Sequence, residues 1–432
     1  MQKTNYDRIG ESVYRATLPG GLPLCVIPKE HHAKSYAFFA TRYGGMDLRF
    51  QKDGVWRDTP AGIAHYLEHK MFDTREGNAL QELAKNGAEP NAFTSNAITA
   101  YFFDSTEHFE ENLKILLSFV SEPYFTPESV AKEQGIIGQE IRMIEDNPEW
   151  QVYTRMMQAL YRTSAARISV AGTVESIAEI TADTLYDCHR VFYTPSNMML
   201  CVVGNVDPQR IMDIAYATLP KVSASRPIPR DYGADETGVV AARETSMEME
   251  VSMPTFLAGY QCVPPVGGDA ILKNSLVGDI ACDLLLGDSS PLYTRLYDEG
   301  LINGSFGGCY EMMPGVAYLY AGGDSRDPAA VQKAITEEAA RLVREGIDET
   351  YYAQLCKASY GETLRALNSF ENIAVTLTEG YFRGFDAYRF PEVFDTITPA
   401  DIVAFLRENI VESRSVLSTI LPKADHQEGA SI

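Results

Sequence analysis

Ala61-Gly62-Ile63-Ala64-His65-Tyr66-Leu67-Glu68-His69-Lys70-Met71-Phe72 is the stretch on which the reading of the chain turns. Thr59 is a good helix N-cap and Pro60 suits a first helical position, so a helix is expected to begin there. Positions four apart lie on one side of a helix, which projects His65 and His69 together. Two imidazoles one turn apart form a bidentate site for a transition metal, zinc first among them. Glu68, one residue before the second His, can reach a water on that metal. The competing reading is a surface helix with hydrogen-bonded His residues and a solvated Glu. The pentapeptide alone does not decide between the two.

At 432 residues the chain exceeds what one hydrophobic core serves, so two domains are expected. With 45% hydrophobic and 22% charged residues, the composition is that of an ordinary globular protein. There is no apolar run of about eighteen residues, and Met1-Gln2-Lys3-Thr4-Asn5-Tyr6-Asp7 does not open a signal peptide. Neither a membrane span nor a secretory route is expected. The seven cysteines, Cys25, Cys188, Cys201, Cys262, Cys282, Cys309 and Cys356, are scattered without a C-x-x-C pair. They read as reduced core residues in a cytoplasmic protein. A net charge of −22 argues against a nucleic-acid partner, whose phosphates it would repel. The same charge serves solubility alone, or a preference for basic polypeptides.

Gly21 to Pro28 and Ser35 to Thr41 read as strands, with His31 and His32 in a polar turn between them. A loop then leads to the His-x-x-Glu-His helix. A second helix is expected over Ala79–Lys85, stopped by Asn86-Gly87. The segment from Asn91 to Phe103 reads as two short strands around Ser95-Asn96. Helices follow from Phe109 to Val120 and from Thr126-Pro127-Glu128 to about Glu145.

The last of these helices carries a possible third metal donor. A catalytic zinc takes three protein groups and leaves one position open. Glu133 and Glu140 lie two helical turns apart and share a face that also bears Ile136, Ile137 and Met143. Carboxylates on a buried face need partners; on an exposed face they are merely solvated.

Taken together, His65-Tyr66-Leu67-Glu68-His69, Asn91-Ala92-Phe93-Thr94-Ser95 and the Glu133 to Glu140 spacing resemble the pitrilysin, insulin-degrading enzyme and mitochondrial processing peptidase family. Its motif inverts the His-Glu-x-x-His order of other zinc proteases. Val170-Ala171-Gly172-Thr173-Val174-Glu175 and Tyr193-Thr194-Pro195-Ser196-Asn197-Met198 are similar to further family segments. The resemblance implies one Zn2+ per chain held by His65, His69 and Glu140. It implies Glu68 as the base that activates water, with Glu133 orienting a ligand His. The strand of Asn91, Ala92, Phe93 and Thr94 is the candidate for peptide docking by strand addition, with Asn91 as a candidate oxyanion donor; the competing reading is an ordinary hairpin edge.

The implied fold is α+β, two similar α/β-sandwich domains forming one half-shell of a clamshell peptidase. The Pro-, Gly- and Ser-rich stretch 223–244 reads as a linker between an N-terminal zinc domain, 1–222, and a C-terminal domain without metal ligands, 245–432. A faint internal repeat agrees with this. Leu80-Gln81-Glu82-Leu83 parallels Leu292 to Leu296, and Ala100 to Phe103 parallels Ala317 to Tyr320. Phe125-Thr126-Pro127-Glu128 parallels Ile347-Asp348-Glu349-Thr350, and the second copy has no His before His426.

One departure stands out. The family's second domain carries an Arg and a Tyr near the scissile bond, whereas alignment sets Tyr297 and Asn303 at those positions. The resemblance therefore implies a peptide or unfolded polypeptide substrate and a related partner subunit supplying Arg and Tyr, or otherwise a homodimer. The alternatives are a non-catalytic peptide-binding or scaffold subunit, and a metal-dependent hydrolase of small molecules.

Overall fold

The structure is a computed structural model and describes residues 1–223, 226–234 and 237–423. The tail with His426 lies outside the described residues. The chain packs into two compact units, each built on one sheet. The first comprises 1–141, 169–232 and 363–391; the second comprises 142–168, 233–362 and 392–432, of which 424–432 are not described.

The main sheet of the first unit has seven strands in the order Gln2–Tyr6, Glu11–Thr17, Pro23–Pro28, Met198–Gly204, Ser35–Thr41, Thr99–Ser105 and Glu89–Thr94. Ser35–Thr41 and Met198–Gly204 are buried along their whole length, as their unbroken apolar character requires of central strands covered on both faces. Pro23–Pro28 pairs parallel with Met198–Gly204; every other neighbour is antiparallel. Helices Phe109–Ser121 and Pro208–Thr218 pack on this sheet. Phe370, Ile373, Ala374 and Leu377 of the helix Phe370–Arg383 join Phe38, Ala40 and Cys201 in its core. Glu89–Thr94 is an edge strand with one neighbour, so its outer backbone groups remain open to pairing.

The second unit holds five strands in the order Glu244–Met249, Ser415–Pro422, Thr255–Cys262, Val316–Asp324 and Gly307–Met313. One parallel pair followed by three antiparallel ones repeats the inner pattern of the first sheet. In this superposition of topologies Thr99–Ser105 matches Val316–Asp324, and Glu89–Thr94 matches Gly307–Met313. Helix Pro127–Glu145 matches Glu349–Ala366 in the chain order. The fold is α+β and internally repeated, as the sequence echo suggested.

Three local expectations are corrected. The first helix starts at Ile63, not at Pro60, because Gly62 adopts a left-handed φ of 88°. A Cβ there would lie 2.5 Å from the Ala171 carbonyl oxygen, so packing dictates this glycine and the helix start. Thr59 donates its hydroxyl to the Leu48 carbonyl instead of capping. The loop before that helix contains a hairpin, Arg49–Lys52 with Val55–Asp58, and the N-terminal segment supplies two strands. The face of Pro127–Glu145 that carries the two carboxylates is open: Ile137 is buried, but Ile136 is 49% and Met143 74% exposed. His31 and His32 are exposed, as expected for a turn.

Candidate metal centre

Helix Ile63–Met71 presents His65 and His69 side by side, their ring centroids 4.6 Å apart. Helix Pro127–Glu145 crosses opposite and brings Glu140 between them. Its Oε1 lies 3.4 Å from His65 Nε2 and its Oε2 lies 3.5 Å from His69 Nε2. One ligand atom from each of the three residues falls within 4.8 Å of the others. Donors about 2.0–2.1 Å from a tetrahedral zinc lie about 3.3 Å from one another, so this donor set fits that ion. The hydrogen bond from His65 pulls the Glu140 carboxyl below its ordinary value, against the effect of burial. The carboxylate form, the one a metal takes, is thereby favoured.

Glu133 Oε1 lies 3.2 Å from the other nitrogen of His69, Nδ1. With its proton on Nδ1 facing this carboxylate, the imidazole keeps the Nε2 lone pair toward Glu140. The bond to His69 lowers the Glu133 carboxyl despite partial burial. Burial alone would lower the His69 pKa, but the Glu133 bond and the charges of Glu68, Glu140 and Glu133 outweigh it and raise the net value.

Two further contacts fix one helix on the other. The Tyr66 hydroxyl donates to the Val130 carbonyl, and the buried Lys70 pairs with Asp73 and reaches the Ser129 carbonyl at 3.3 Å.

Glu68 is buried, at 8% exposure. Burial raises its carboxyl above the ordinary value, opposed by the Thr94 hydroxyl and by His65 and His69. Thr94 Oγ1 donates to Glu68 Oε2 at 2.6 Å, so the end of the edge strand touches the base candidate. That contact joins strand to helix and leaves no trace in sequence spacing. Phe93 turns the other way, with its ring centroid 6.1 Å from those of Phe38 and Phe102. Asn91 is exposed, and its Oδ1 accepts from the Ala92 amide at 2.9 Å. In the second unit Tyr297 is 54% exposed, and Asn303 Oδ1 accepts from the Ser305 amide at 2.8 Å. Among the described residues His65, His69 and Glu140 are the one group of three or more His, Cys, Asp or Glu donors spaced for a metal.

The repeated fold agrees with comparison to known proteins. The model of the insulinase family, peptidase family M16, matches residues 54–174, and that of the peptidase M16 inactive domain matches 179–358. A zinc protease of Bacillus subtilis, YmfH, itself described as uncharacterized, is 37% identical over 98% of this chain and 100% of its own. The crystal structure of a putative M16-like peptidase from Alicyclobacillus acidocaldarius shares 32% identity with a TM-score of 0.91, covering 96% of this chain and 99% of the other. A Helicobacter pylori protease shares the fold at TM-score 0.82 and 19% identity, over 95% and 99% of the two chains. The chain belongs to the M16 peptidase family. No described helix is long and apolar enough to cross a membrane.

Proposed function

We propose that the chain is a zinc-dependent endopeptidase acting on peptides or unfolded polypeptides, with His65, His69 and Glu140 as the ligands of one Zn2+. The observation that carries this reading is the convergence of those three donors beside Glu68 at the end of an open strand edge. Bound there, zinc supplies Lewis acidity that polarises the scissile carbonyl and acidifies the attacking water. Glu68 takes that water's proton and returns it to the leaving amine. Its burial-raised carboxyl suits both halves of the transfer. Glu133 holds His69 in one tautomer and orientation.

The main chain of Glu89–Thr94 receives an extended peptide by strand addition, which accounts for recognition with little demand on side chains. Asn91 keeps its amide nitrogen free of protein hydrogen bonds among the described residues and is the proposed oxyanion donor. The family resemblance sets Tyr297 and Asn303 at positions where the family carries Arg and Tyr, and on that reading a related partner subunit completes a closed chamber; a homodimer is the second arrangement. The sequence domains 1–222 and 245–432, joined by 223–244, are the proposed halves of the repeat. Seven free cysteines fit a reducing, cytoplasmic setting.

The test is cleavage of a mixed peptide library by zinc-loaded protein, alone and with the candidate partner, with Glu68→Gln as the blank. Cleavage abolished in Glu68→Gln at unchanged zinc content supports the peptidase. Bound zinc with no cleavage in any combination moves the reading to the peptide-binding or scaffold subunit, an alternative compatible with the match of 179–358 to an inactive-domain model.

A further inference from the structure

Thr94 closes the edge strand Glu89–Thr94, and its hydroxyl donates to Glu68 Oε2 at 2.6 Å. The neighbouring strand fixes that hydroxyl. Thr99, Thr94's register partner, is fully buried and sends its own proton to the Tyr43 carbonyl at 2.8 Å. Its Oγ1 lies 3.3 Å from Thr94 Oγ1. With the Thr99 proton committed, Thr94 has one proton and two acceptors, and the carboxylate is the stronger.

The consequence falls on Glu68. A carboxylate at 8% exposure is largely shut off from water, so the protein donors that reach it decide its placement. Among the described residues the Thr94 hydroxyl is the one protein hydrogen bond it receives, and it occupies a single oxygen. The other oxygen, Oε1, is left for the reacting water. Without the hydroxyl, no protein hydrogen bond among the described residues fixes the plane of the carboxylate.

We propose that Thr94 is a positioning residue: its hydroxyl sets the plane of the Glu68 carboxylate and couples the base to the strand on which peptide docks. The inference rests on the reading of Glu68 as the base. A hydroxyl that merely fills space at a strand end is the competing account. Thr94→Val separates the two, because valine keeps the shape and β-branching and removes only the donor.

The experiment compares zinc-loaded wild type with Thr94→Val, Thr94→Ser, Glu68→Gln and the double variant Glu68→Gln/Thr94→Val. It uses a quenched fluorescent peptide, zinc analysis and crystal structures. Thr94→Val is expected to lose about 10–100-fold in kcat, part of the range a positioned base supplies, with KM within about twofold and zinc content unchanged. Thr94→Ser is expected to recover to within about threefold. The double variant is expected to be no slower than Glu68→Gln, since both changes act through one carboxylate. In the crystal structure of Thr94→Val the Glu68 carboxylate is expected to have turned.

A Thr94→Val enzyme with normal kcat, or a carboxylate still in place, overturns the proposal. So does a serine that fails to rescue. Full activity in Glu68→Gln would instead sink the base reading itself, and the two failures are thus told apart.

Discussion

His69 Nδ1 and Glu133 Oε1 lie 3.2 Å apart, the imidazole on one helix and the carboxylate on the helix that also carries Glu140. One pair thus ties together the two helices that carry the proposed metal donors, and in the proposed function it also orients a ligand His. Removing the charge while keeping the shape tests the first role. Glu133→Gln is expected to weaken zinc binding about 10–100-fold, the usual cost of losing a group that orients a ligand His. A competition titration against a chromophoric chelator measures it. An unchanged Kd would mean that Glu133 is only a helix-to-helix contact.

The loop before helix Ile63–Met71 contains one end of a buried ion pair. Arg230 Nε lies 2.7 Å from Asp47 Oδ1, with the two side chains 7% and 1% exposed. Asp47 also accepts from the Gly44 amide at 2.8 Å and the Tyr232 hydroxyl at 3.1 Å. Asp47→Ala leaves the buried Arg230 guanidinium without its counter-ion, with the Arg42 carbonyl at 2.6 Å and Asn197 Oδ1 at 2.9 Å still accepting from it, and is expected to cost about 3–5 kcal/mol in urea unfolding. Asp47→Ala/Arg230→Met is expected to recover a large part, because neither charge is then left alone. A double variant as unstable as the single would assign the cost to the lost Gly44 and Tyr232 bonds.

What the sequence made legible was periodic. His65, Glu68 and His69 follow from helical spacing, as does the common face of Glu133 and Glu140. The strands Ser35–Thr41 and Thr99–Ser105 follow from their apolar runs. What stayed hidden is tertiary. The helix begins at Ile63 because the Ala171 carbonyl approaches Gly62, which no local propensity encodes. Spacing puts Ile136, Ile137 and Met143 on one face without saying whether it is covered; in the fold Ile137 is buried while Ile136 and Met143 are exposed. Phe370–Arg383, far along the chain, joins the core of the first sheet, since only topology assigns it there. The Thr94 to Glu68 bond crosses from a strand to a helix and has no sequence signature.

His189 gives stability a pH dependence of known sign. It is buried, stacks on Tyr193 with ring centroids 4.6 Å apart, and contacts the Val120 carbonyl through Nε2 at 3.1 Å. Burial pushes its pKa down to about 4, against about 6.5 in the unfolded chain. Above the unfolded value both states are neutral and the contribution is complete. As pH falls, the unfolded chain gains the proton first, so stability is lost from about pH 6.5 down to about 4. The loss is about 2 kcal/mol by pH 5 and about 3 kcal/mol by pH 4. His189→Gln lacks this proton, so its stability deficit at pH 7.5 is expected to shrink by about 2 kcal/mol at pH 5. Parallel urea curves for the two proteins across that range would refute a buried neutral His189.

Zinc binding and folding are linked, and the linkage separates ligands from the base. An ion that binds only the folded chain at about a thousand times its Kd adds about 4 kcal/mol to stability. Chelation is therefore expected to lower the Tm of wild type. Glu68→Gln should keep that increment, since Glu68 touches Thr94 rather than the donor set. Glu140→Gln should lose most of it, because its oxygens sit 3.4 Å and 3.5 Å from the two imidazoles. Loss of Glu140 also lifts the carboxylate charge that helps raise the His69 pKa. Thermal unfolding with and without chelator, run on all three proteins, reads the difference directly. A full increment in Glu140→Gln would remove Glu140 from the ligand set, and loss of the increment in Glu68→Gln would move Glu68 into it.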